Sequence, residues 1–104
     1  EVARQTLRCL LSTVPPAAPG IAFLSGGQSD EEATAHLNAM HHLGVALPWA
    51  VTFSYGRALQ AAAMQAWNGQ QDNLMAAQAI AYHRAQMNGL AAQGGYEAQM
   101  ESPA

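Results

Sequence analysis

Lysine is absent from the 104 residues, and the four basic side chains are all arginine, at Arg4, Arg8, Arg57 and Arg84. Two chemistries are excluded with it. A Walker-type phosphate loop needs its Gly-Lys-Ser/Thr, and a Schiff base needs a side-chain amine. Charge of either sign is scarce. Only 11% of residues are charged, less than half of the usual quarter. The formal net charge is −3, without the clustered positive charge that a nucleic-acid surface needs. A single cysteine, Cys9, excludes an internal disulfide framework and fits a cytoplasmic protein. Its neighbours are mostly apolar, which predicts an inert buried thiol rather than a nucleophile. No apolar run approaches a membrane span, and the start shows no charged n-region followed by an apolar core. What is abundant is apolar surface, 50% of residues. A chain so poor in charge is expected to turn part of that surface toward other protein.

The order of elements reads as helix, strand, helix, strand, helix, helix. Ala3, Leu7, Leu10 and Leu11 form one stripe of a helix over residues 1–12. The chain begins inside this pattern, as a piece of a longer protein would. Pro15-Pro16 and Pro19-Gly20 break it into a loop. Ile21-Ala22-Phe23-Leu24 is too short for a helix and suits a strand buried on both faces. Ser29-Asp30-Glu31-Glu32 has the form of a capping box, opening a helix from Asp30 to about Leu43 that Gly44 ends. Ala33, Leu37 and Met40 are its inward stripe. A second strand runs from Ala50 to Phe53, and a third helix from Arg57 to Asn68-Gly69 with Leu59, Ala62, Ala63, Ala66 and Trp67 on one face. The last helix is expected from about Asp72 to Ala92, with Leu74, Ala77, Ala81 and Met87 inward. Tyr96 to Ala104 reads as a loose tail. Strands alternating with helices imply an α/β fold with parallel pairing, and the step from Ser25 to Ser54 suits one βα repeat of an α/β barrel.

Both strands end in a turn rich in serine and glycine. Gly26 and Gly27 permit positive φ and can expose successive N–H groups as an anion nest. Gly56 allows a tight turn, and Arg57 stands where the next helix begins, beside free backbone N–H groups. In a parallel sheet the ends of neighbouring strands open on one side. Ser25-Gly26-Gly27 and Ser54-Tyr55-Gly56-Arg57 should therefore meet, with room for a phosphate between them. The alternative is an exposed Arg57 serving solubility and glycines serving turns only.

Other constellations carry less. His36, His41 and His42 lack the i, i+4 spacing of a helical metal pair, so no metal site is assigned and surface positions are expected. Asp30, Glu31 and Glu32 occupy a first helical turn, where acids favour the dipole. Trp49 and Trp67 read as packing residues, and His83 and Arg84 as decoration of the last helix.

These residues also resemble a known family. Ile21 to Ser29 (IAFLSGGQS) and Trp49 to Trp67 (WAVTFSYGRALQAAAMQAW) are similar to the C-terminal region of class I fructose-bisphosphate aldolase. Thr13-Val14-Pro15-Pro16, Glu31-Glu32-Ala33 and Leu37-Asn38-Ala39 fit as well. The resemblance implies a (β/α)8 TIM barrel, with residues 1–96 holding the last two strands and C-terminal helices and 97–104 a short tail. It implies the glycolytic cleavage of fructose 1,6-bisphosphate to dihydroxyacetone phosphate and glyceraldehyde 3-phosphate through a lysine Schiff base. No cofactor is implied, and the family's tetramer suggests a homo-oligomer. By position, Ser25, Gly26, Gly27, Ser54, Gly56 and Arg57 resemble the ketose-phosphate contacts. The family's Schiff-base lysine and acid–base carboxylates fall upstream of Glu1. Two departures stand out: Leu11-Ser12 replaces two basic residues before Thr13, and Glu101-Ser102-Pro103-Ala104 replaces a tail ending in tyrosine. The rival readings are another phosphosugar-binding (β/α)8 enzyme, separable by the upstream sequence, and a non-catalytic helical interaction segment.

Overall fold

The computed structural model describes residues 1–24 and 26–101. Its elements in chain order are α1 (Val2–Thr13), β1 (Gly20–Phe23), α2 (Asp30–Met40), β2 (Ala50–Phe53), α3 (Arg57–Trp67) and α4 (Leu74–Ala91), with short 3-10 turns at Gln71–Asn73 and Ala98–Glu101. β1 and β2 pair in parallel, Gly20 opposite Ala50 and Phe23 opposite Phe53. The expected order and direction are both found.

α2 is the centre of the packing. Leu37 and Met40 join Leu7 of α1, Trp49, Val51 of β2, and Met87 and Ala91 of α4 in one buried cluster. Ala33 joins Tyr55 and Ala58 in a second. Trp49 is buried, and its Nε1–H donates to the Pro15 carbonyl at 3.1 Å, which ties the proline loop to the entry of β2. At the start of α2 the capping box forms in full. The Glu32 N–H donates to Ser29 Oγ at 3.2 Å, and the Ser29 N–H to Glu32 Oε2 at 3.4 Å. Ser29→Ala should cost about 1 kcal/mol and Ser29→Gly only a few tenths, because glycine at an N-cap leaves the N–H groups open to water. Denaturant midpoints of the two variants check this; equal losses would assign the effect to something other than the cap.

Several expectations are corrected. β1 starts and ends one residue earlier than expected, and Leu24 is 75% exposed. Neither strand is buried on both faces, because among the described residues the sheet has two strands only. The second helix ends at Met40, short of Leu43, and the last begins at Leu74 after a 3-10 turn. Leu74 and Trp67, expected inward, are exposed, whereas Ala58 is the buried residue of α3. Leu11 lies on the apolar stripe of α1 yet is exposed. Cys9 is exposed: two helical steps carry it about 200° round from Leu7, so its apolar sequence neighbours are not its neighbours in space.

The shape accounts for much of this. The radius of gyration is 15.1 Å, against about 13 Å for a compact domain of this length. The chain spreads over 49 × 25 × 21 Å and leaves apolar side chains of α1, α3 and α4 without cover from its own described residues. No helix among these residues is long and apolar enough to cross a membrane.

Candidate functional site

The parallel pairing sends the loops after β1 and β2 out of the same end of the sheet. They are joined at their bases, where the Ser54 N–H donates to the Phe23 carbonyl at 2.7 Å. In the first loop Gly26 and Gly27 have φ of 56° and 86°, and a Cβ on either would meet nothing within 4 Å. Two consecutive residues of positive φ make a tight turn that glycine enters without strain. Ser25, singled out from the sequence, lies outside the described residues.

In the second loop Ser54, Gly56 and Arg57 are exposed and Tyr55 is buried. Gly56 is the N-cap of α3 and, having no side chain, makes no capping hydrogen bond of its own. The contrast with α2 is chemical. Ser29 and Glu32 close the amide end of α2, whereas the N-cap of α3 offers no side-chain oxygen to its first N–H groups, with the positive end of the helix dipole behind them. Arg57 forms no ion pair among the described residues. One expectation is corrected here. Gly56 has φ −83°, within reach of any residue, so its own backbone does not require glycine. Nor does packing require it, since a Cβ there would meet nothing within 4 Å among the described residues.

Tyr55 anchors this loop. Its ring packs on Phe53 with centroids 5.3 Å apart, and its hydroxyl donates to the Ala33 carbonyl of α2 at 3.0 Å. Burial pushes its phenol pKa above the ordinary value, so the hydroxyl remains a donor. On the other loop Gln28 follows Gly27, and its Oε1 is hydrogen-bonded to Nδ1 of His36 on α2. His36 is therefore half-buried and engaged, not the surface histidine expected. Phe23, Leu24, Gln28, His36 and Tyr55 line a small cavity of about 100 Å³ beneath the two loops.

A second polar cluster went unread in the sequence. Arg84, expected to decorate α4, is 4% exposed. Its Nη1 donates to Glu101 Oε1 at 2.6 Å and its Nη2 to the Asp30 carbonyl at 3.2 Å and to Thr34 Oγ1. The Thr34 hydroxyl lies 2.6 Å from Asn88 Oδ1 and donates to it. Glu101 also receives His83 Nε2 at 3.0 Å and the Tyr96 hydroxyl at 2.8 Å, and the Tyr96 N–H donates to Asn38 Oδ1 at 3.1 Å. The segment from Tyr96 to Glu101 is thus fastened to α4 and α2 rather than loose. A signal was present. Arg84 falls in the same helical stripe as Ala77, Ala81, Met87 and Ala91, and only its charge argued for an outward position.

The two loops and the parallel βα repeat define an α/β protein with two glycine-bearing turns at one end of its sheet. A family model, fructose-bisphosphate aldolase class-I, matches residues 1–104. Fructose-bisphosphate aldolase C of Rattus norvegicus is 60% identical over 93% of this chain and 27% of its own length. The aldolase C of Gallus gallus is 58% identical over 93% of this chain and 71% of its own. A probable fructose-bisphosphate aldolase class 1 of Xanthomonas campestris is 59% identical over 90% and 28%. Among solved structures, fructose-bisphosphate aldolase from Plasmodium falciparum, in complex with TRAP and a small molecule inhibitor, superposes with a TM-score of 0.86 at 50% identity, over 91% of this chain and 27% of that one.

This chain belongs to the class-I fructose-bisphosphate aldolase family. It spans about a quarter of the length of the rat relative.

Proposed function

We propose that these residues form the phosphate-holding part of a fructose-bisphosphate aldolase, a lyase that cleaves fructose 1,6-bisphosphate in the cytoplasm through a lysine Schiff base. In this reading β1 and β2 are the last two strands of a (β/α)8 barrel, and the remainder of the barrel covers the bare sheet edges and exposed apolar faces. The assembled enzyme is a homo-oligomer.

The observation that carries the reading is the position of two donor-rich turns at one end of a parallel sheet. The N–H groups at Gly26 and Gly27, with Ser25, take one side of the ketose phosphate. Ser54, the open amide end of α3 at Gly56 and the guanidinium of Arg57 take the other. A doubly charged phosphate gains most from preorganised donors that need no reorganisation when it arrives. Held there, it fixes the sugar so that the carbonyl meets an amine supplied by a lysine outside these residues.

The absence of lysine makes a sharp test. Full-length protein containing these residues, treated with dihydroxyacetone phosphate and borohydride, should be inactivated. Peptide mapping should place the reduced adduct on a lysine outside residues 1–104, since no lysine lies within them. Failure to cleave fructose 1,6-bisphosphate, or inactivation with the adduct mapped within 1–104, would sink the reading.

A further inference from the structure

Both loops at the strand ends are held from the same helix. On one side the anchor is Gln28, the residue after Gly27. Its amide oxygen can only accept, so Nδ1 of His36 carries the proton and donates it. On the other side the anchor is Tyr55, the residue before Gly56, whose hydroxyl reaches the Ala33 carbonyl at 3.0 Å. Ala33 and His36 are three residues apart on α2, neighbours on one face of the helix. α2 itself is well fixed, because Ala33 and Leu37 are both fully buried.

The glycines between these anchors cannot fix themselves. Gly26, Gly27 and Gly56 have no side chains, and among the described residues nothing beyond their chain neighbours stands within 4 Å of where a Cβ would be. The anchored residues beside them, Gln28 after Gly27 and Tyr55 before Gly56, therefore hold these turns in place. A loop left to order itself around a phosphate would lose affinity to the entropy of ordering.

We propose that His36 and Tyr55 are positioning residues, which brace the two phosphate loops against α2 and so set the affinity for the phosphorylated substrate without touching it. This rests on the phosphate reading given above, and the experiment separates the two.

In the full-length protein, His36→Leu removes the donor and Tyr55→Phe removes the hydroxyl while keeping the ring. Each should raise KM for fructose 1,6-bisphosphate about fivefold, the effect of one lost hydrogen bond, with kcat changed by less than about twofold. His36→Asn places an N–H close to the former Nδ1 and should return KM to within about twofold of the parent. A leucine that merely disturbed packing would not be rescued by asparagine. If His36→Leu does not fold, the nearly isosteric Tyr55→Phe and the asparagine variant carry the test. KM unchanged in Tyr55→Phe and His36→Leu, with Arg57→Ala raising it, overturns the bracing and leaves the phosphate reading standing. kcat/KM unchanged in Arg57→Ala overturns the phosphate reading itself. A fall in kcat and thermal stability at constant KM makes α2 an ordinary structural helix and also overturns the proposal.

Discussion

Arg57→Ala should lower kcat/KM for fructose 1,6-bisphosphate by about ten- to a hundredfold in the full-length enzyme. The size follows from what the side chain gives up. A hydrogen bond to a charged group contributes about 1.5–3 kcal/mol, and about 1.4 kcal/mol is a factor of ten. The free protein should scarcely notice the change. Arg57 is exposed and has no ion-pair partner among the described residues, so no native contact of that kind is lost. Arg57→Lys should recover only part of the loss, because an ammonium is a point charge and cannot present the paired N–H groups of a guanidinium. Arg4→Ala is the control. Arg4 is also exposed, sits on α1 and is paired with Glu1 at 3.0 Å; its removal should leave the kinetics unchanged. Equal kinetics for Arg57→Ala and Arg4→Ala would end the phosphate assignment.

The largest structural effect is expected at the other end of the chain. Glu101→Ala leaves the Arg84 guanidinium, with a side chain only 5% exposed, without its carboxylate. Breaking a buried ion pair on one side costs about 3–5 kcal/mol, and here Tyr96 and His83 lose their acceptor as well. The segment can escape this cost by detaching. Amide exchange across Tyr96–Glu101 should therefore rise far more than exchange in α2. Protection that falls equally everywhere would point to global destabilisation instead.

The same cluster sets a pH window. Burial works to raise the Glu101 carboxyl, but hydrogen bonds from Arg84, His83 and Tyr96 outweigh it, and its pKa lies below the ordinary 4.5. A folded-state pKa below the unfolded one stabilises fully above 4.5 and is lost as pH falls through the folded value. Tyr96 has the opposite sign. Burial, with Glu101 beside it, pushes its phenol from 10.0 up to about 12. Its contribution is full below 10.0 and is lost as pH rises toward 12. Protection of the segment should be greatest between these limits.

Much of the architecture could be read from local signals. The capping box at Ser29, the β-branched and aromatic run at Ala50 to Phe53 and the left-handed Asn68, with φ 50°, each specify a boundary through backbone chemistry within a few residues. The geometry of the two turns was legible for the same reason. Positive φ at Gly26 and Gly27 and a helix opening at Arg57 are local properties, and parallel pairing then brings the loops to one end.

What local reasoning missed was decided by partners distant in sequence. Arg84 is inward because Glu101, Thr34 and the Asp30 carbonyl satisfy its charge and N–H groups; without them a guanidinium in that stripe would turn to solvent. His36 is engaged because Gln28 folds back over α2, and Cys9 is exposed because helical geometry turns it away from Leu7. Sequence alone determined the elements, their order and the family they belong to, since these rest on backbone propensity and short motifs. Only the tertiary structure decided which polar side chains are buried, because burial of charge depends on a partner arriving from elsewhere in the chain.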